Sequence, residues 1–372
     1  MSYDIAYPTA AGAGASGAAW APPCRVGVLG ATGYSGAELI RLLSGHPGVR
    51  LEAASSRQDA GRPLASVLPS LPEADVILDD DPERPDAWID RGVGVVFSAL
   101  PHGAFATRAR AFLDAGLRII DLSSDFRLRD AGDYRRRYGM EHPDPDLLGD
   151  AVYGLSEWRG EAVSGAALVA NPGCYATAIL LGLLPAVEAG LVGREPIVVN
   201  AVSGVSGAGR APSLTTHFVE RDGSVSPYRV GEEHPHLGEV GQTLAEAGLA
   251  PLPLVFNPHL APMVRGILAS AVLKLRFPLE PERARAIYAE RYAGHPFVRV
   301  LDGGLLPETR HVRGSNRCDI AVRTSAEGQL LMVFSAIDNL IKGAAGQAIQ
   351  NLNRMMGWTE ETGLPRTGWG SA

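Results

Sequence analysis

Cysteine is scarce in this 372-residue chain, and Cys24, Cys174 and Cys318 stand far apart. Three scattered thiols build no disulfide framework and point to a reducing compartment, the cytoplasm. No apolar run reaches the length that spans a bilayer, so no membrane is expected. Basic residues are outnumbered, 34 Lys+Arg against 41 Asp+Glu, for a formal net charge of -7. That balance argues against nucleic acid as a partner. The one basic cluster, Arg135-Arg136-Arg137, reads as a solvated helix face. Residues 1–22 are rich in Ala, Gly and Pro, with no Lys or Arg and no continuous apolar core. They lack the plan of a signal peptide and read as a disordered tail. Hydrophobic residues are plentiful, at 46%, and the length exceeds that of a usual single domain, so two domains are expected.

The first half reads as a nucleotide-binding domain. Cys24 to Leu29 is a short buried strand, Gly30-Ala-Thr-Gly-Tyr-Ser-Gly36 a loop, and Ala37 to Leu43 a helix with Leu39, Ile40 and Leu43 on one face. A second strand starts at Val49. Glycines at 30, 33 and 36 between strand and helix let a pyrophosphate approach the backbone and rest on the helix N-terminus. The bland alternative is an ordinary glycine-rich turn. The second strand ends in Ser55-Ser56-Arg57, with no carboxylate to hold a ribose 2′-hydroxyl. A guanidinium there suits a 2′-phosphate, which favours NADP(H) over NAD(H), although Arg57 as a plain surface charge is the competing reading. Two further strands end in polar loops at Ser98–Gly103 and Ser123–Arg127, where ligands of open parallel sheets bind. His102 in the first of these reads as a simple loop histidine.

Asn171-Pro-Gly-Cys174 follows an apolar run and opens another. It places a thiol at the first turn of a helix, where free amides lower its pKa and favour the thiolate nucleophile. A buried small hydrophobe is the usual fate of a free Cys and is the alternative here. The loop Ser203-Gly-Val-Ser-Gly-Ala-Gly-Arg210 after a strand is suited to wrapping an anion. His234 and His236 follow, either of which fits a proton shuttle for a thiolate. Joined with Glu233 or Glu239 they resemble part of a zinc site, but three or four matched ligands are required and no metal is assigned. If the segment is a strand, alternation puts both rings on one side, so which faces the thiol stays open. Leu254–Leu275, Ile320–Arg323 and Leu330–Phe334 read as successive strands of an antiparallel-rich sheet, and Ala336–Asn353 as a helix lined with Ala and Gly that docks back on the nucleotide domain.

Taken together, Gly30–Leu39, Leu100-Pro-His-Gly103, Asp121–Arg127, Val152–Glu157, Asn171–Tyr175, Ser203–Arg210, Met263–Leu268 and Ala336–Ala348 resemble the N-acetyl-gamma-glutamyl-phosphate reductases, a branch of the aspartate-semialdehyde dehydrogenase superfamily. The likeness covers about residues 24–360. It implies an α/β fold: a Rossmann-type NADP-binding domain (23–172), then an α+β catalytic and oligomerisation domain with a largely antiparallel sheet (173–334), then a C-terminal helix (335–372) packed back on the first. It implies NADPH-dependent reduction of an acyl phosphate to an aldehyde through a Cys thioester, by a homo-oligomer, dimer or tetramer. Cys174 and His234 become the catalytic pair. Gly30, Thr32, Gly33, Tyr34, Ser35, Gly36, Ser55, Ser56, Arg57, Ser98, Pro101 and Asn339 become cofactor-binding. Asn171, Ser203, Arg210, His236 and Arg265 become substrate-binding. Pro235 stands where the family has Arg, Gly238 where it has Pro, and Ala176 where Pro is common. The lost Arg is a lost substrate-binding charge, so a sister activity is kept as the alternative: reduction of aminoadipyl phosphate carried on a small acidic carrier protein. An inert NADPH-binding redox sensor would need the Gly30 loop but neither Cys174, a base, nor anion-gripping arginines.

Overall fold

A computed structural model describes residues 23–370 apart from Glu73, Glu83 and Gly303. The expected tail, residues 1–22, lies outside the described residues. The first half forms a six-stranded sheet from β1 (Cys24–Leu29), β2 (Val49–Ala54), β3 (Val95–Ser98), β4 (Arg118–Asp121), β5 (Val152–Tyr153) and β6 (Leu168–Ala170). The order is β2-β1-β3-β4-β6-β5 and every pairing is parallel. Strands covered on both faces read as near-continuous apolar runs, as Val95-Val-Phe does before Ser98, all four positions being buried.

The second half forms a seven-stranded sheet from β7 (Ile197–Ser203), β8 (Ser226–Pro227), β9 (Leu254–Leu260), β10 (Ile267–Lys274), β11 (Val298–Val300), β12 (Cys318–Thr324) and β13 (Leu330–Ile337). Its order is β11-β12-β13-β10-β7-β9-β8. Most pairings are antiparallel, but β7 runs parallel to β9 and β11 to β12. Although β9 and β10 are neighbours in sequence, β7 lies between them. The segment 261–266, with Pro262 and the left-handed Gly266 (φ 117), carries the chain over β7 instead of closing a hairpin.

The helix Cys174–Glu188 lies against this sheet and is buried at every position from Tyr175 to Val187, as an apolar core helix must be. Pro185 offers no amide to the carbonyl of Leu181, and that oxygen accepts the Tyr292 hydroxyl at 2.5 Å instead. The other sheet face is uncovered: Val198, Val202, Leu268, Val272, Met332 and Phe334 alternate with core residues and remain half-buried or exposed. Among the described residues no helix is long and apolar enough to cross a membrane.

The segment read as one helix from Ala336 begins differently. Ala336 and Ile337 finish β13. Asp338 then turns the chain, its Oδ1 accepting the amides of Leu340 (2.9 Å) and Ile341 (3.1 Å). One π-helical turn, Ile341–Ala345, precedes the regular helix Gly346–Met355. Its apolar side joins Val26, Val28, Leu39 and Ile40 in the core of the first half through Ile341, Ala345, Ile349 and Leu352.

Candidate active site

The glycine loop leaves β1 with Gly30 in the left-handed region, φ 73. Gly36 presses on the Gly30 carbonyl so closely that no side chain fits, and the helix Tyr34–Ser44 starts there with open amides. Thr32 and Ser56 share a hydroxyl contact at 2.9 Å. Arg57 projects with its side chain 73% exposed, and its nearest acid is Asp81 at 3.5 Å. A carboxylate absent from the β2 terminus in sequence is thus brought there from a distant segment. Asp81 is already engaged, by Arg108 at 2.8 Å and the Ser55 hydroxyl at 3.1 Å, so Arg57 stays open to a ligand. Ser98 ends β3 fully buried, its hydroxyl beside the Asp121 carboxyl.

Beyond β4, Asp125 accepts the amides of Gly103 (2.6 Å) and Ala106 (3.1 Å) and faces His102 Nδ1 at 2.8 Å. These contacts hold its carboxyl below the usual range. Burial, with Asp125 beside it, pushes Asp121 up to about 7. His102 is therefore a tethered wall residue, not a free loop histidine.

Cys174 opens its helix after the extended Gly173. The amide of Gly173 donates to Glu239 Oε2 at 3.0 Å. That oxygen also accepts the Tyr153 hydroxyl at 2.7 Å, while Oε1 meets Arg127 at 3.2 Å. On the far side Gly343, in the π turn, comes so close that a β-carbon on it would lie 2.7 Å from Cys174 Cβ. The thiol is not activated at rest as a helix start alone suggests. Burial pushes it up to about 11, outweighing Arg127 and the amides of Tyr175 and Cys174, which favour thiolate.

The histidine segment is not a strand. His234 lies in a loop, Pro235 caps, and His236 begins the helix His236–Glu246. The two rings nevertheless meet edge to face, their centroids 4.7 Å apart. His236 lies against the nucleophile's turn, where a β-carbon on Gly173 would meet its Nε2 at 2.5 Å, and Glu239 Oε1 stands 3.9 Å from that nitrogen. His234 is packed among Tyr175, Tyr228 and Phe256, with ring centroids 5.4, 5.9 and 5.2 Å away. Burial lowers both to about 3, reinforced by the other imidazole for His234 and by Arg127 for His236, so both are neutral. Among the described residues no three His, Cys, Asp or Glu converge as a metal site.

Cys174, His234 and His236 line a cleft of about 820 Å³ together with Ser203, Gly204, Tyr175, Tyr228 and four arginines, Arg127, Arg137, Arg221 and Arg229. The two arginines expected to grip substrate are elsewhere. Arg210 donates to the Thr32 carbonyl at 2.7 Å, beside the glycine loop. Arg265 is held by Glu38 at 2.7 Å, with Asp338 at 3.8 Å. Asn171 is outside the cleft lining as well, because its amide bridges the Ala344 carbonyl (3.1 Å) and Asn351 (3.1 Å). Asn339 is similarly committed, to the Gly266 amide (2.8 Å) and the Ser206 hydroxyl (3.0 Å). From sequence, Glu239 is visible only as a doubtful metal ligand, and Arg137 only as surface charge.

Residues 25–166 match the semialdehyde dehydrogenase NAD binding domain and residues 174–339 the semialdehyde dehydrogenase dimerisation domain. The chain belongs to the semialdehyde dehydrogenase family. Solved structures of similar fold include aspartate semialdehyde dehydrogenase II of Vibrio cholerae complexed with ASA (TM-score 0.69, 18% identity, 91% of this chain and 99% of that one). Another is aspartate semialdehyde dehydrogenase with NADP from Candida albicans (TM-score 0.64, 20% identity, 90% and 98%). Within the family its relatives are N-acetyl-gamma-glutamyl-phosphate reductases. It is 46% identical to that of Symbiobacterium thermophilum over 92% of this chain and 98% of the other, and 46% identical to that of Nitrosospira multiformis over 90% and 96%.

Proposed function

We propose that this chain reduces N-acetyl-gamma-glutamyl phosphate to N-acetylglutamate 5-semialdehyde with NADPH, releasing inorganic phosphate, as a step of arginine biosynthesis. The observation that carries the reading is Cys174 at a helix start in the cleft, with the neutral His236 imidazole against the preceding residue. The glycine loop fits a dinucleotide, because its crowded Gly30–Gly36 contact keeps the backbone bare where a pyrophosphate would lie. Bound there, the nicotinamide supplies the hydride. Thr32, Ser56 and Arg57 stand at the end that would meet the 2′-phosphate.

The protein's own groups account for the rest. As the sulfur attacks the acyl carbonyl, His236 takes the thiol proton, and the carbon–phosphate oxygen bond breaks to give a thioester and free phosphate. A neutral imidazole is the form able to accept that proton. The amides of Cys174 and Tyr175, which face the sulfur, would stabilise the tetrahedral oxyanion formed there. After reduction of the thioester carbonyl, the thiohemiacetal oxyanion collapses to the aldehyde and expels the thiolate, and His236 returns its proton to the sulfur. His234, caged by aromatic rings, positions His236 by accepting its backbone amide at 3.3 Å.

We also infer a homo-oligomer joined through the uncovered face of the second sheet. An apolar face of this kind is buried stably only against another apolar surface, and a second copy offers one. The test of function is phosphate-dependent reduction of NADP⁺ by N-acetylglutamate semialdehyde. Turnover that vanishes in Cys174→Ser supports the reading. Absence of turnover in the wild-type chain, with NADPH still bound, overturns it and directs the search to a carrier-bound aminoadipyl substrate.

A further inference from the structure

Three of the four cleft arginines are held by the protein or lie open to solvent, and one is neither. Arg127 is tied to Glu239 and to the carbonyls of Asn171 and Leu122. Arg221 donates to the Ser226 hydroxyl at 2.8 Å and the Thr215 carbonyl at 3.2 Å. Arg229 is exposed. Arg137, from the last turn of the helix Ala131–Tyr138, is half-buried and makes no hydrogen bond or ion pair with any described residue. Its Nε is sealed from solvent without an acceptor. A buried N–H without an acceptor is costly, and the rest of the guanidinium lines the cleft, where an anion would pair with its charge.

The arginine reaches the cleft across Gly238. A β-carbon on that glycine would lie 2.5 Å from Arg137 Nε and 2.6 Å from its Cδ. Glycine is thus what admits the side chain to the wall shared with Cys174 and His236. Pro235, between the two histidines, brings no charge of its own, so the histidine segment leaves this part of the cleft without a cation.

We propose that Arg137 binds an oxyanion of the substrate, carboxylate or phosphate, through a gap that Gly238 leaves open. This rests on the acyl-phosphate reading for the name of the substrate, but not for the presence of the anion site. A planar guanidinium matches either oxyanion with two parallel hydrogen bonds, so the chemistry is shared and the source is a matter of measurement.

The experiment is protection of Cys174 from iodoacetamide by inorganic phosphate and, separately, by N-acetylglutamate, in the full-length wild type, Arg137→Met, Arg137→Lys and Gly238→Ala. Loss of one charge-assisted partner is expected to weaken protection by one of the two anions about tenfold or more in Arg137→Met. Arg137→Lys should recover part of it, and Gly238→Ala should weaken the same anion by displacing the side chain. Loss toward phosphate assigns the phosphate, and loss toward N-acetylglutamate alone assigns the carboxylate. Protection equal in wild type and Arg137→Met, or absent from both, overturns the proposal. NADPH titration confirms that each variant is folded. Protection needs no turnover, so a wild type that binds these anions yet fails to oxidise the semialdehyde would sink the acyl-phosphate reading and leave the anion site standing.

Discussion

The Gly173 amide donates to Glu239 Oε2 across 3.0 Å, so the residue preceding the nucleophile is held by a carboxylate 66 positions later. The same carboxylate takes the Tyr153 hydroxyl and the Arg127 guanidinium, and all of it is buried. Glu239→Ala strands Arg127 without its charge partner, and breaking a buried pair costs about 3–5 kcal/mol. Urea denaturation should show a lowered midpoint with an unchanged slope. A midpoint equal to wild type would mean the network holds nothing in place.

Cys174→Ser should lower reduction by roughly 10⁴-fold or more while NADPH affinity is retained, since the nucleophile is lost and the glycine loop is untouched. Equal activity in the variant would end the covalent scheme.

The resting thiol has a pH signature. Burial raises it to about 11, so the thiolate fraction is small below pH 9 and grows as pH rises toward that value. Iodoacetamide labelling of Cys174 in the free protein should therefore accelerate through pH 9 without levelling. A plateau near pH 7 would show an activated thiolate and contradict this account.

His236→Asn should reduce kcat by about 10²–10⁴-fold, the usual worth of a general acid–base group. His234→Asn should have a smaller effect, because that ring touches aromatic neighbours and the His236 backbone. The reverse ranking in steady-state kinetics would move the proton shuttle to His234.

Arg57→Glu should weaken NADPH far more than NADH, by about tenfold or more in the ratio, since a 2′-phosphate loses its cation and meets a second carboxylate beside Asp81. An unchanged ratio in fluorescence titrations would remove Arg57 from the cofactor site.

Features carried by local chain chemistry are legible in the amino-acid sequence. The Gly30–Gly36 turn and the Asn171–Cys174 turn are short, and their residues dictate a strand, a break and a helix in order. Arginine roles are not legible there, because each depends on a partner remote in sequence. Arg265 reads as a free cation, yet Glu38, 227 positions earlier, holds it; Arg137 reads as solvated, yet Gly238 makes room for it in the cleft wall. Periodicity misleads for the histidines. Spacing two suggests a strand, whereas Pro235 caps a helix there, and the two rings meet edge to face all the same. The Ala336 segment misleads in the same way. A run of small apolar residues fits the end of a strand, a π turn and a helix equally well, and it is Asp338 that caps the break between them.

The return of Ile341–Met355 to the first sheet bears on how the chain comes off the ribosome. Val26, Val28, Leu39 and Ile40 meet side chains that are synthesised some three hundred residues after them. The nucleotide-binding half cannot close its interior as a nascent fragment, because the last piece of that interior is still unmade. Its apolar strands complete their burial only once nearly the whole polypeptide has emerged. Deleting the final thirty residues should therefore spoil the beginning of the molecule before the middle.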